Sequence, residues 1–287
     1  MSERIHVAVR VRPGGDPDHR RGPCLSIAGK QVRLEGPSSH STQSFTYDVV
    51  LGPELGQAEV FDALGQPITE DLLKGYNATV LAYGQTGSGK THSMFGPEGG
   101  SVQTLHPDGP AYKHRGLIPR LFESIFEHLA TIQAEEVDIR ITMSAFELYR
   151  EDIHDLLEPK RGAEYRIRED TINGRGVYIE NLREAEVRTL EEACDVLRTA
   201  VAARTVATTK MNHTSSRSHS IVQLTLEQTS HVQEGSRLRS RLSLVDLAGS
   251  EKVERTGAEG DRLKEAQMII LSLTLQNECV SLMIGTS

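Results

Sequence analysis

Apolar and polar positions along the chain fall into blocks that predict elements. Residues 5–11 (IHVAVRV) are rich in β-branched side chains and predict a strand, which Pro13-Gly14-Gly15 ends. Residues 14–23 hold Pro, Gly and charge and predict a loop, with short strands at 24–27 and 31–34. Residues 59–73 carry apolar side chains at helical spacing and predict a helix kinked near Pro67. Residues 79–83 (TVLAY) predict a buried strand, followed by a Gly-rich loop and a helix. Residues 97–113 read as a surface insertion, and 119–133 as an amphipathic helix. Residues 137–148 alternate as a strand does. Across 190–205, Leu190, Ala193, Leu197 and Ala200 form one helical stripe. Strands at 220–229 and 239–247 are joined by a polar hairpin, and the segment from Glu259 onward reads as helix. Strands that alternate with helices in parts and pair as hairpins elsewhere predict an α/β fold. Its sheet is mixed, with helices on both faces.

Composition narrows the field. The 287 residues are 37% hydrophobic and 25% charged, enough for one large globular unit. The net charge of −8 lacks the basic footprint of a general nucleic-acid binder, so no nucleic-acid partner is expected. Three widely spaced cysteines, Cys24, Cys194 and Cys279, fit reduced thiols and neither a disulfide framework nor a zinc site. The longest apolar stretch, 268–275, is interrupted by Ser272 and Thr274 and is too short to span a bilayer. No signal peptide is visible, and cytoplasm is the expected compartment.

The chemistry concentrates in three polar blocks. Gly84-Gln85-Thr86-Gly87-Ser88-Gly89-Lys90-Thr91 matches G-x-x-x-x-G-K-[ST] at every fixed position, between a predicted strand and a predicted helix. Glycines let backbone N–H groups turn inward around phosphates, and the helix N-terminus adds partial positive charge. Lys90 reaches the β/γ-phosphates and the Thr91 hydroxyl ligates Mg²⁺. Such a loop needs an acidic partner for the metal at the end of another buried strand, and Asp246 supplies it. A glycine just past that residue can offer its N–H to a γ-phosphate. The third block, Asn212-His213-Thr214-Ser215-Ser216-Arg217-Ser218-His219, offers hydroxyls for Mg²⁺ or its waters and an arginine for phosphate or a carboxylate. Its histidines have no metal-site spacing. A guanine-specific site is disfavoured, because Thr209-Lys210-Met211-Asn212 has Asn where an [NT]-K-x-D pattern needs Asp.

Taken in order, these blocks resemble the kinesin family. The family's GQTGSGKT, N-x-x-S-S-R-S-H and D-L-A-G-S-E stand at 84–91, 212–219 and 246–251. Arg10-Val11-Arg12-Pro13 matches R-x-R-P, Phe45-Thr46-Tyr47-Asp48 matches F-x-[FY]-D, and Gly75-Tyr76-Asn77 matches G-[YF]-N. Arg115-Gly116-Leu117-Ile118-Pro119-Arg120 also fits, and 112–120 bears a weak resemblance to a ciliary subfamily.

The resemblance runs from 7 to about 266. It implies a P-loop NTPase of kinesin type, one motor domain over 1–287, that couples ATP hydrolysis to microtubule binding and movement on the cytoskeleton. Carried over by residue, it implies that Thr91 and Ser216 hold Mg²⁺, with Asp246 acting through a water. The Gly249 N–H senses the γ-phosphate, and Arg217 and Glu251 form the salt bridge that closes the site. Glu251, with Ser216, helps remove the proton from the attacking water. Arg10, Pro13 and His92 flank adenine, and Arg12 belongs to the same block. From charge alone the segment with Lys252, Arg255, Arg262 and Lys264 reads as a solvated mixed face, since Glu251, Glu254, Glu259, Asp261 and Glu265 interleave; the resemblance implies instead that it faces acidic tubulin, with Lys160, Arg161 and Arg168 adding to it.

The pattern departs at Arg150, where the family has Asn, and at Ile270 and Leu271, where it has Asn and Lys. Against the family, the last core strand, last helices and neck linker are expected beyond Ser287, together with any dimerising segment. Two strand edges beside residues 5–11 are then expected to lack partners. Unpaired buried backbone groups cost about 1–3 kcal/mol each, against a total stability of about 5–15 kcal/mol. That predicts a marginally stable or aggregation-prone chain. The departures leave a second reading, a non-motile relative that binds nucleotide or tubulin without stepping. A phosphate-transferring kinase lacks an evident acceptor site.

Overall fold

The computed structural model describes residues 5–13, 25–35, 42–100, 106, 109–132, 136–149, 152–160, 162–172, 175–210, 218–232, 236–249 and 279–286. At 98, 206–210 and 279–286 it describes backbone alone. In chain order the strands begin with β1 (His6–Arg10), β2 (Leu25–Ala28), β3 (Gln31–Leu34), β4 (Gln43–Thr46) and β5 (Val49–Leu51). Helices α1 (Gln57–Val60) and α2 (Gln66–Leu73) follow, then β6 (Asn77–Gly84), α3 (Lys90–Phe95) and α4 (Leu117–Leu129). Next come β7 (Val137–Tyr149), β8 (Asp152–Asp155), β9 (Arg166–Asp170), β10 (Gly176–Glu180) and β11 (Ala185–Val187). Helix α5 (Leu190–Lys210), β12 (His219–Ser230), β13 (Arg237–Asp246) and β14 (Cys279–Thr286) complete the set.

Nine of these strands form one sheet in the order β11-β7-β12-β13-β6-β14-β1-β5, with β8 also paired to β7. The half from β5 to β13 is parallel; β13, β12, β7 and β11 pair antiparallel. The mixed sheet is the predicted architecture. Inside it, β6 is buried on both faces, so its sequence is a continuous apolar run. Side chains still alternate. Ala78, Val80 and Ala82 join the larger core with Leu242 and Leu244, whereas Leu81 and Val245 join the smaller core on the opposite face.

All the described helices contribute to the larger core: Val60, Ile68 and Leu72; Met94 and Phe95; Ile118, Phe122 and Ile125; Leu197 and Ala200. They therefore share one face. The smaller core is covered, among described residues, by Ile153, Ile179 and Leu182 from β8, β10 and the loop after β10. The helix predicted from Glu259 lies outside the described residues as far as 278.

The kink near Pro67 takes a definite form. A π-helical turn over Phe61–Gly65 separates α1 from α2, and Pro67 sits in the first turn of α2. A proline ring crowds the carbonyl four residues back and offers no N–H; the wider π turn absorbs both defects.

The expected gap beside the first strand is not there. β14 lies between β1 and β6, parallel to both, with Leu282 level with His6 on one side and Val80 on the other. Residues 279–286 are thus strand, where the sequence predicts helix. Residues 280–284 are apolar apart from Ser281, and a run this short fits either state by periodicity. The two rows of N–H and C=O groups on β1 and β6 decide it, since an extended chain satisfies them. The expectation of marginal stability loses its premise with the gap.

Candidate functional site

The site forms where the parallel strands end. β6 runs into the Gly-rich loop, and β13 lies beside it with Asp246 level with Ala82. Ligands gather at such carboxyl ends of parallel strands. Gly89 has φ +106, a left-handed conformation that glycine adopts without strain, and it turns the loop into α3. Lys90 is buried, 8% exposed, and its ammonium donates to the carbonyls of Gly84 (2.8 Å) and Gln85 (2.9 Å). It is thereby folded over its own loop.

At the second residue of α3 the Thr91 hydroxyl donates to Asp246 Oδ2 at 2.7 Å, and Arg204 Nη1 from α5 donates to the same oxygen at 2.9 Å. Asp246 Oδ1 is buried and has no hydrogen-bond partner among the described residues. A buried carboxylate oxygen without a donor is costly unless a ligand meets it. A hydroxyl beside a spare carboxylate oxygen is the hard-oxygen chemistry that suits Mg²⁺. Among the described residues no three His, Cys, Asp or Glu side chains gather as a metal set.

Arg204 is 3.7 Å from Glu147 Oε1, and Glu147 accepts from the Ser218 hydroxyl. Sequence reading missed Arg204 and Glu147. A signal existed: Arg204 falls four residues after Ala200, on the same stripe as Leu197, and Glu147 lies in an apolar strand. Charges there need partners when buried.

Beyond Asp246 the chain turns, and the Ala248 N–H donates to His219 Nδ1 at 3.1 Å. Burial, with a smaller contribution from Arg204 and against the pull of Asp246, lowers the His219 pKa from its ordinary value. Gly249 is buried at this turn. Ser216, Arg217 and Glu251 lie outside the described residues.

The other end of the cavity is built from β1. Arg10 Nη1 donates to Gln57 Oε1 and Ser93 Oγ, both at 3.0 Å, and Gln57 Nε2 donates to the His92 carbonyl at 2.7 Å. Arg12 Nη1 donates to the Gly87 carbonyl at 2.5 Å. Arg10, Arg12, Pro13 and His92 line one open cavity with the loop residues 86–91, as do Gln57 and His114, which the sequence reading did not single out. Burial lowers the His92 pKa, and the positive neighbours Arg10, Arg12 and His114 lower it further.

The Kinesin motor domain family model matches residues 10–286. The chain belongs to the kinesin motor domain family. It is 43% identical over 280 residues to Kinesin-related protein 5 of Dictyostelium discoideum, covering 96% of this chain and 27% of that protein. It is 40% identical over 272 residues to a kinesin heavy chain of Neurospora crassa, covering 94% of this chain and 28% of that one. A solved structure of a fast kinesin, described for its ATPase mechanism and interactions with microtubules, matches with a TM-score of 0.80 and 34% identity. That match covers 99% of this chain and 85% of the other. The chain spans about a quarter of the length of the two curated relatives. Kinesin membership carries nucleotide binding with it, and the Gly-rich loop of β6 and α3 is the cradle that fits.

Proposed function

We propose that this chain is the ATP-binding and ATP-hydrolysing motor domain of a microtubule motor, working on the cytoskeleton. The observation that carries the reading is the Thr91–Asp246 pair. It joins the phosphate loop to the end of the neighbouring parallel strand and leaves one carboxylate oxygen over.

Mg²⁺ would be held by the hydroxyls of Thr91 and Ser216, with Asp246 acting through a water, and would supply charge neutralisation at the phosphates. The chain's own residues do the rest. Backbone N–H groups of 84–91 cradle the phosphates, and Lys90 exchanges its two loop carbonyls for phosphate oxygens. That exchange loses little, because the ammonium keeps charge-assisted partners. Gly249 offers its N–H toward the γ-phosphate, and Arg217 and Glu251 close the site. Glu251 with Ser216 takes the proton from the attacking water. Arg10, Pro13 and His92 flank the base, with Arg12 bracing the loop. Positioning and charge stabilisation are most of what phosphoryl transfer needs.

Steady-state ATP hydrolysis titrated with microtubules tests the reading. Strong stimulation is expected. Lys90→Ala should abolish nucleotide binding, and Glu251→Ala should bind ATP but stop turnover. A folded, nucleotide-binding protein without stimulation would reject the motor function, and wild-type turnover in Glu251→Ala would reject that assignment.

A further inference from the structure

The segment ahead of α4 is held far more firmly than a surface insertion needs. The Arg115 guanidinium stacks on the Tyr112 ring at 4.0 Å and donates to the Tyr112 carbonyl at 3.0 Å. It also pairs with Glu123 on α4, whose other oxygen accepts from the Tyr112 hydroxyl at 3.3 Å. Arg120 donates to the carbonyls of Arg115 (3.1 Å) and Lys113 (2.8 Å). Burial and Glu123 push the Tyr112 phenol up to about 12, so it stays a donor. Gly116 closes the bracket. Its N–H donates to the Phe95 carbonyl at 3.1 Å, and a Cβ there would lie 2.5 Å from the backbone of Met94. The bracket is therefore locked to the end of α3, the helix that begins at Lys90.

Residues 112, 113, 115 and 116 are all tied down by these contacts. His114, between them, has an exposed imidazole with no partner among the described residues, and it lines the same cavity as Arg10, Pro13 and His92. Its positive charge is among the neighbours that lower the His92 pKa. Lys90 and Thr91 mark the phosphate part of the cavity; His114 shares its lining with His92, Arg10 and Pro13, the residues read as the base side. A planar imidazole there offers a face to a base and an N–H to a ribose hydroxyl.

We propose that His114 is a nucleotide-binding residue, presented by the Tyr112–Arg115–Glu123 bracket to form, with His92, a wall against the base and ribose. Residues 112–116, ahead of α4, are on this view part of the nucleotide site. Arg115 is a positioning residue that acts through His114.

The inference rests on nucleotide binding at this cavity, and its test separates the two. Binding of ADP and of inorganic tripolyphosphate is measured by calorimetry on the 287-residue chain. Tripolyphosphate fills the phosphate end alone. His114→Ala should weaken ADP roughly five- to tenfold, the loss expected for one base-stacking contact, and leave tripolyphosphate unchanged. His114→Phe should recover most of the ADP affinity, since it restores a face. Arg115→Ala should weaken ADP alone, and combining it with His114→Ala should add nothing. The proposal falls if His114→Ala binds ADP as wild type does, or loses tripolyphosphate to the same degree. It also falls if Arg115→Ala and His114→Ala add in full, which would detach the bracket from the histidine. If the wild-type chain binds neither ligand, the nucleotide reading itself fails and takes this inference with it.

Discussion

His219 accepts the Ala248 amide proton on Nδ1, so its ring is neutral with the remaining proton on Nε2. Its pKa is depressed below the ordinary 6.5, chiefly by burial. As pH falls below 6.5 the unfolded chain takes up a proton that the folded chain refuses, so stability declines until the folded pKa is passed. His219→Asn keeps an acceptor near Nδ1 and cannot titrate. Thermal unfolding at about pH 7.5 and about pH 5.5 should therefore show a larger drop for the wild type than for His219→Asn. Equal drops would place the acid sensitivity elsewhere. At this scale the site was legible where residue type and spacing both matter. Lys90, Thr91 and Asp246 come straight from a motif, and the structure brings the last two within hydrogen-bond distance. Arg204 carried only a weak signal, a charge on an apolar stripe. His114 and Gln57 carried none, because the path of the chain alone brings them to the cavity.

The long strands β7, β12 and β13 were read to within two residues of their observed limits; α4 and α5 were read as helices, but with ends four or five residues off at the C-terminal side. Short strands with mostly exposed residues, such as β4 and β9, give no alternation to read. β14 was misread for a different reason: its fate depends on the vacancy between β1 and β6, which no local pattern encodes. Its importance can be tested through the backbone. Leu282→Pro removes a ladder donor from a strand paired on both sides. Each buried group left unpaired costs about 1–3 kcal/mol, a large share of a typical domain's stability. Urea unfolding of Leu282→Pro should show a loss of that size or more, or no soluble protein. Stability within about 0.5 kcal/mol of wild type, the range of an indifferent surface change, would argue that β14 does not occupy the slot in solution.

The whole molecule carries a net charge of −8, yet its proposed partner is acidic. Two electrostatic effects then oppose each other: general repulsion between like-charged bodies, and local attraction at the cations Lys252, Arg255, Arg262 and Lys264, which Glu251, Glu254, Glu259, Asp261 and Glu265 interleave. Their ranges differ. At physiological ionic strength the Debye length is about 8 Å, so charges spread over the far side of the molecule are already screened, while side chains in contact are not. Raising salt from about 0.05 M to about 0.3 M shortens that length further and weakens the contacts next. Microtubule affinity, measured by co-sedimentation with nucleotide fixed, should fall steadily over this range. Reversing two of these cations with Lys252→Glu and Arg255→Glu should flatten the dependence as well as weaken binding. An affinity that rises with salt would mean that repulsion dominates and that these cations do not face the partner. ATP turnover without microtubules should hardly change across the same series, since the phosphate site is shaped by buried groups such as Lys90 and Asp246 that bulk salt screens little.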